Sequence, residues 1–299
     1  MGDFTEVHSG GRRKFIQTSG LALAGLALLP SCSPSGPGRR YGLQLYTVRE
    51  KLSADLEGTL KSVAKIGYKD LEIFGYADGK IFGVNPSELR KMVEDLGMKL
   101  VSGHYLTGNF NAPWQGTLSN GWEKAVEDAN VMGLKYMVNA FLFPEERQSI
   151  DDYKKLTDLL NVSAKVAKNA GIQFGYHNHD FEFLELEGQL PMYVIMDGTD
   201  DDLVVAELDL YWAARVGHSP MHFFKRYPKR TALWHVKDMA DSDDKEFTEV
   251  GNGVIDFKAI FEKSMLSGMK YFFVEQDVCQ RPPVESIAIS YKNLMKWGI

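Results

Sequence analysis

The sequence predicts an α/β protein built as a single (β/α)8 TIM barrel, and three observations carry the prediction. From Tyr41 onward, eight short β-rich runs alternate with eight helical stretches in about 260 residues, the count such a barrel needs. The turn after the first run, "YTVREKLS", holds no glycine, whereas a doubly wound open sheet would place a glycine-rich phosphate turn there. Acids and histidines gather at the ends of the runs, where barrels of this kind carry their chemistry.

The runs lie near 41–46 (YGLQLY), 69–74 (KDLEIF), 98–104 (MKLVSGH), 135–140 (KYMVNA), 172–177 (IQFGYH), 203–209 (LVVAELD), 231–236 (TALWHV) and 270–275 (KYFFVE). Helices are expected near 53–66, 86–96, 119–132, 150–170, 190–197, 220–227, 256–267 and 284–297. Ser53 reads as the N-cap of the first and Gly67 as its stop. Pro86 sits at the first turn of the second, which ends at Gly97. A glycine, an apolar residue and a lysine recur at Gly67-Tyr68-Lys69, Gly97-Met98-Lys99, Gly133-Leu134-Lys135 and Gly268-Met269-Lys270, each a helix C-cap leading into the next strand.

The barrel is preceded by a leader. Arg12, Arg13 and Lys14 are followed by an apolar run from Leu21 to Leu29 and then by Cys32. That run is too short to span about 30 Å of hydrocarbon, and it suits the core of a signal peptide. The arginine pair resembles a twin-arginine export signal, and "LPSC" resembles the lipobox of bacterial lipoproteins, with Cys32 as the lipidated residue. The expected division is a signal segment over 1–32, a flexible tether over 33–40 (SPSGPGRR) and the barrel over 41–299. An exported, periplasmic lipoprotein is expected, touching a membrane only through its lipid anchor.

The 299 residues are 44% hydrophobic and 25% charged, with a formal net charge of −6. Removing residues 1–31 takes away three basic and two acidic residues, leaving 31 against 38 and a net charge of −7. An acidic chain with no basic block excludes nucleic acid as a partner. With Cys32 lipidated, Cys279 is a lone thiol and no disulfide forms.

The strand ends supply the candidate chemistry. In order they offer Gln44; Glu72; His104; Asn139; His177 and His179, with Glu182 just after; Glu207 and Asp209; His235 and Lys237; Glu275 and Asp277. Period-two alternation puts each pair two apart on one face. If those faces point inward, imidazoles and carboxylates from strands five to eight converge. Burying so many ionisable groups without a cation would be very unfavourable, so one divalent metal ion is expected. Mixed nitrogen and oxygen donors without cysteine suit Mn, Zn, Co, Fe or Mg rather than a structural zinc site. Taken singly, His104 and His235 also read as hydrogen-bonded core histidines, and Asp209 as the cap of the next helix. His218 and His222 read as solvated or structural, and "DSDDKE" (241–246) as a solvated loop.

Together "YGLQLYTVR", "YHNHDFEF", "ELDLYWAARVG", "LWHVKDM", "EVGNGVIDF" and "FFVEQD" resemble the sugar phosphate isomerase/epimerase family of xylose-isomerase-like barrels, from about Tyr41 to the C-terminus. The resemblance implies one divalent metal held by Glu, Asp, His and Glu at the ends of strands five to eight. Here that means Asp209, His235 and Glu275, with His177 in the usual glutamate position. His177, His179 and Glu182 all stand as the strand-five ligand.

The implied chemistry is proton abstraction next to a carbonyl, by an isomerase or epimerase acting on a small sugar, with the metal stabilising the growing enediolate charge. His177 and Glu275 are candidates for proton transfer and Lys237 for holding a substrate oxygen. Gln44, Glu72 and His104 are candidates for sugar hydroxyls, and Trp212, Trp114 or Phe110 for an apolar floor. The alternative branch is elimination, by a lyase acting on 3-keto-glycosides; an alternative of another class is a non-catalytic sugar-binding lipoprotein. "EVGNGVIDF" is the one weak candidate for a phosphate turn. A homo-oligomer is left open.

Overall fold

The computed structural model describes residues 40–109 and 114–299. The signal segment, Cys32, the tether up to residue 39 and Phe110 lie outside the described residues. The strands in chain order are β1 (Gly42–Gln44), β2 (Asp70–Ile73), β3 (Lys99–Tyr105), β4 (Tyr136–Asn139), β5 (Gln173–His177), β6 (Val204–Asp209), β7 (Thr231–Val236), β8 (Asp238–Met239), β9 (Phe247–Thr248) and β10 (Tyr271–Val274). β1 to β7 and β10 close a barrel in the order β1-β10-β7-β6-β5-β4-β3-β2, every pair parallel. These are the eight runs expected from sequence. β8 and β9 form a small antiparallel ribbon beside the barrel, and "DSDDKE" is its turn.

Parallel pairing brings the functional positions level with one another. Gln44 stands opposite Glu72, His177 opposite Glu207, and Asp209 opposite His235. Below that level the barrel is plugged by Val101, Val138, Ala232, Leu233 and Phe273, with Tyr136, Val205 and Tyr271 packed against them. Alternation then dictates the next layer: Leu233 shares its face with His235, and Phe273 with Glu275. An apolar plug therefore supports an ionisable floor. Strand β1 is tight against its neighbour, since any side chain at Gly42 would run into the Phe272 carbonyl and the Phe273 ring. A larger apolar shell, including Leu43, Leu71, Phe174, Leu208, Trp234 and Val274, packs the outer strand faces against the helices.

The helix ends follow the expected chemistry with some corrections. Ser53 is not the first cap: it lies inside the helix Arg49–Ala54, and Asp55 caps Leu56–Ile66 by accepting the Gly58 N–H at 2.9 Å. A carboxylate accepts an amide proton better than a hydroxyl there. Gly133 and Gly268 end their helices at φ 79° and 87°, as read from the repeat. The stretch near 256–267 splits into Phe257–Phe261 and Ser264–Ser267. A further helix, Leu210–Arg215, follows β6 directly and is too short to show a period in the sequence. No helix among the described residues is long and apolar enough to cross a membrane.

Candidate active site

The carboxyl ends of six barrel strands deliver one continuous cluster. Glu72 comes from β2, His104 from β3, His177 from β5, Glu207 and Asp209 from β6, His235 and then Lys237 from β7, and Glu275 from just past β10. Glu72, Glu207, Asp209 and His235 are fully buried, and His177, Lys237 and Glu275 nearly so.

The cluster has two levels that share His235. In the lower one, His104 Nε2 lies 2.6 Å from Glu207 Oε2 and 3.2 Å from Glu72 Oε2. His235 Nε2 lies 2.6 Å from Glu72 Oε2, and His177 Nδ1 3.3 Å from Glu207 Oε2. Gln44 Nε2 donates to Glu72 Oε2 at 2.8 Å. In the upper level, His235 Nδ1 lies 2.8 Å from Glu275 Oε2 and 3.9 Å from Asp209 Oδ2, and His177 Nε2 lies 3.8 Å from the same Asp209 oxygen. Lys237 closes this level: its Nζ sits 2.7 Å from Glu275 Oε2, 3.0 Å from Asp209 Oδ2 and 3.0 Å from both Asp277 oxygens.

Charge is distributed unevenly across the floor. Burial disfavours protonating His104, but Glu72 and Glu207 outweigh it and raise its pKa to about 9. The same contest, with Glu207, Glu72 and Glu275 as partners, raises His235 well above an ordinary imidazole. Lys237 is likewise pushed up, its three carboxylates outweighing burial. His177 and His179 go the other way: burial, reinforced by neighbouring cations, holds both well below the usual range and therefore neutral. Burial raises Asp209 and Glu207, while Lys237 and His235 overcome burial at Glu275 and lower it. Burial also raises Asp277, to about 6.

The residues present fit a divalent cation. Glu72 Oε1 and Glu207 Oε1 are buried with no hydrogen-bond partner, although buried carboxylate oxygens are rarely left so. The surrounding carboxylates are what raise His104 and His235, and a cation can stand in for the protons those carboxylates favour. Two sets of donor atoms lie within 4.8 Å of one another: Asp209, His235 and Glu275 above, and His104, His177, Glu207 and His235 below. Both are mixed nitrogen–oxygen sets without cysteine.

Most of the residues read from the sequence meet here, with three differences. Glu182 does not join the cluster. Its carboxylate accepts the Tyr176 hydroxyl at 2.6 Å and the His179 N–H at 2.7 Å, on the outer side of β5, so it fixes the loop after that strand. His179 belongs to neither donor set; it stands in the cavity wall, parallel to Phe181 and 5.6 Å from Trp212 between ring centres. Glu207, read from the sequence only as a strand end, is central to the lower level. Nothing but its spacing of two from Asp209 could have singled it out.

Asp209 combines both roles considered for it: Oδ1 accepts the Trp212 N–H at 3.0 Å and caps Leu210–Arg215, while Oδ2 faces Lys237 and the imidazoles. The glycine turn at 251–253 is no phosphate cradle, because Asp238 already accepts the N–H groups of Gly251 and Gly253 at 2.8 and 3.0 Å. Above the floor opens a cavity of about 810 Å³, lined below by His104, His177, Lys237, Glu275 and Asp277, with His179 in its wall.

A parallel (β/α)8 barrel with imidazoles and carboxylates converging at its carboxyl end defines the class. The chain belongs to the xylose isomerase-like TIM barrel family, whose model matches residues 60–278. It is 24% identical over 261 residues to an inosose dehydratase of Lacticaseibacillus casei, covering 77% of this chain and 85% of that protein. Among solved structures it is similar to a sugar phosphate isomerase/epimerase from Parabacteroides distasonis ATCC 8503, with a TM-score of 0.76 and 29% identity over 88% of this chain and 95% of the other. The IolI protein with a bound zinc atom shares the fold at a TM-score of 0.66 and 17% identity, over 87% of this chain and 98% of the other.

Proposed function

We propose that this protein is a divalent-metal-dependent enzyme that removes a proton next to the carbonyl of a cyclic keto-sugar and completes the reaction by β-elimination. The observation that carries the reading is geometric: the Asp209, His235 and Glu275 donor atoms lie within 4.8 Å of one another beneath a cavity that His179 and Lys237 also line. Asp209, His235 and Glu275 would hold the cation, with His177 beside them. When bound, a divalent cation there supplies Lewis-acid polarisation of the substrate carbonyl.

His177 has both ring nitrogens turned to carboxylates and is 2% exposed, which leaves His179, on the cavity wall, as the base. His179 takes the C–H proton, the electron pair becomes the C=C bond, and the bond from the β-carbon to its oxygen breaks. Lys237, oriented by Asp277, donates a hydrogen bond to the departing oxygen. The likeness to an inosose dehydratase supports elimination. Epimerisation is the second reading, favoured by the likeness to the Parabacteroides distasonis protein.

The test is incubation with inososes, ketoses and 3-keto-glycosides in D₂O, with and without chelator, following C–H exchange by NMR and enone absorbance. Chelator-sensitive exchange with enone supports elimination, and exchange giving only an inverted centre supports epimerisation. Exchange that chelator leaves untouched overturns the metal-dependent reading.

A further inference from the structure

The cavity is larger and more aromatic than a sugar alone requires. Cavities of roughly 300–1,000 Å³ enclose ligands of drug size, and at about 810 Å³ this one stands near the upper end. Its floor is ionisable, and Arg147, Asp180 and Thr117 add polar side chains to the lining. Its mouth is built of rings on two sides. Tyr46 and Phe74, just past β1 and β2, meet edge to face at 5.1 Å. Phe141, from the loop after β4, and Trp212, from the short helix after β6, enclose His179 at 5.0 and 5.6 Å between ring centres. The strand order sets β1 and β2 across the barrel from β5 and β6, so these walls face each other over the floor.

Two features show that the walls are not simply core. Tyr46 and Trp114, both lining the cavity, are 39% and 50% exposed, a large aromatic surface left facing the mouth. Trp212 Nε1 is buried without a hydrogen-bond partner, although indole N–H groups in such places normally find one. The Trp212 ring also lies 5.9 Å from Lys237 Nζ, at the step between polar floor and aromatic wall. A donor at that height suits an oxygen joining a polar head to an apolar body.

Resting on the keto-sugar reading, we propose that the substrate is a glycoside whose aglycone is a flat aromatic ring system, the sugar on the floor and the aglycone between the two walls. A second sugar in place of the aglycone would depend on Arg147, Asp180 and Thr117 for hydrogen bonds, because Tyr46, Phe74, Phe141 and Trp114 supply few. A flat ring stacks on them, each good aromatic contact favouring binding by about two- to tenfold.

Two measurements on the metal-loaded protein separate this inference from the chemistry beneath it. The first titrates unoxidised, unreactive 4-nitrophenyl β-glucoside and methyl β-glucoside by calorimetry, which tests the walls without catalysis. The aryl compound is expected to bind at least about tenfold more tightly, and Tyr46→Ala and Trp114→Ala are each expected to reduce that ratio about threefold. Both side chains are substantially exposed, so neither change threatens folding. Equal affinities, or a ratio that survives both substitutions, overturn the inference. The second follows C–H exchange in methyl 3-keto-β-glucoside, which tests the chemistry without an aromatic aglycone. Failure there with the aryl preference intact overturns the keto-sugar reading and leaves the aromatic site standing as a binding site.

Discussion

Lys237 places a positive charge among the very oxygens that a metal would use, and replacing it gives a quantitative test. Its ammonium contacts Asp209 Oδ2 and Glu275 Oε2 at 3.0 and 2.7 Å, and Asp277 at 3.0 Å. A cation entering between Asp209 and Glu275 displaces two of these contacts, while Asp277 keeps the lysine. Breaking a buried ion pair so that a charge is left uncompensated costs roughly 3–5 kcal/mol, so clearing the place costs about 3 kcal/mol or more. Lys237→Met keeps the apolar stem and removes that competitor. At about 1.4 kcal/mol per factor of ten, its affinity for Zn²⁺ or Mn²⁺ is expected to rise about a hundredfold. Calorimetric titration of metal-stripped protein measures this, with parent and variant compared at one pH so that both face the same proton concentration. Turnover is expected to fall in the same variant, because the donor to the leaving oxygen is gone. The metal-free variant should also unfold at lower denaturant, since the buried Asp209 and Glu275 and the half-buried Asp277 have lost the ammonium, and metal should restore it. An affinity within threefold of the parent, or a weaker one, refutes the argument.

Arg230→Ala is expected to lose about 3 kcal/mol of stability in urea titrations, with Arg230→Lys recovering only part. The guanidinium donates to the Val204 carbonyl at 3.1 Å and the Thr199 carbonyl at 2.9 Å, and also to the Met196 carbonyl, tying the end of the helix Pro191–Gly198 to β6. Burial raises the Glu182 carboxyl to about 7, whereas in the unfolded chain it titrates near about 4.3. Between those values the folded state holds the extra proton, so stability falls as pH rises through the window. Glu182→Gln should flatten that slope and be the more stable form above pH 7, by on the order of 2 kcal/mol in denaturant titrations. For the leader, Cys32→Ala is expected to move the protein from the membrane fraction to the soluble fraction of expressing cells; unchanged fractionation would remove the lipid-anchor proposal.

The barrel was legible because parallel strands buried on both faces read as short apolar runs, and because Gly133 and Gly268 mark the turns between layers. The site was legible where a polar residue ended an apolar run, as His235 does after "TALW" and Glu275 after "YFFV". Depth was not legible. Glu207 and Asp209 share a face, and only the register with His177 and His235 shows that one belongs to the lower level and the other to the upper. Glu182 shows the converse limit. It lies close to His177 in sequence, yet the short turn Phe181–Phe183 and the Tyr176 hydroxyl draw it to the far side of the strand. Helix Leu210–Arg215 and the β8–β9 ribbon were missed because six and two residues are too few to display a period.

Asp209 spends one oxygen on the first turn of Leu210–Arg215 and turns the other to the floor. The carboxylate is rigid and planar, so the two engagements are mechanically joined. Whatever draws Oδ2 toward a cation also reorients the peptide that Oδ1 grips, and that peptide is the one carrying the Trp212 indole. Indole emission is sensitive to its surroundings. Occupancy of the floor is thereby coupled to a fluorophore three residues along the backbone, and with five tryptophans in the chain the share of Trp212 is the change in emission that Trp212→Phe removes.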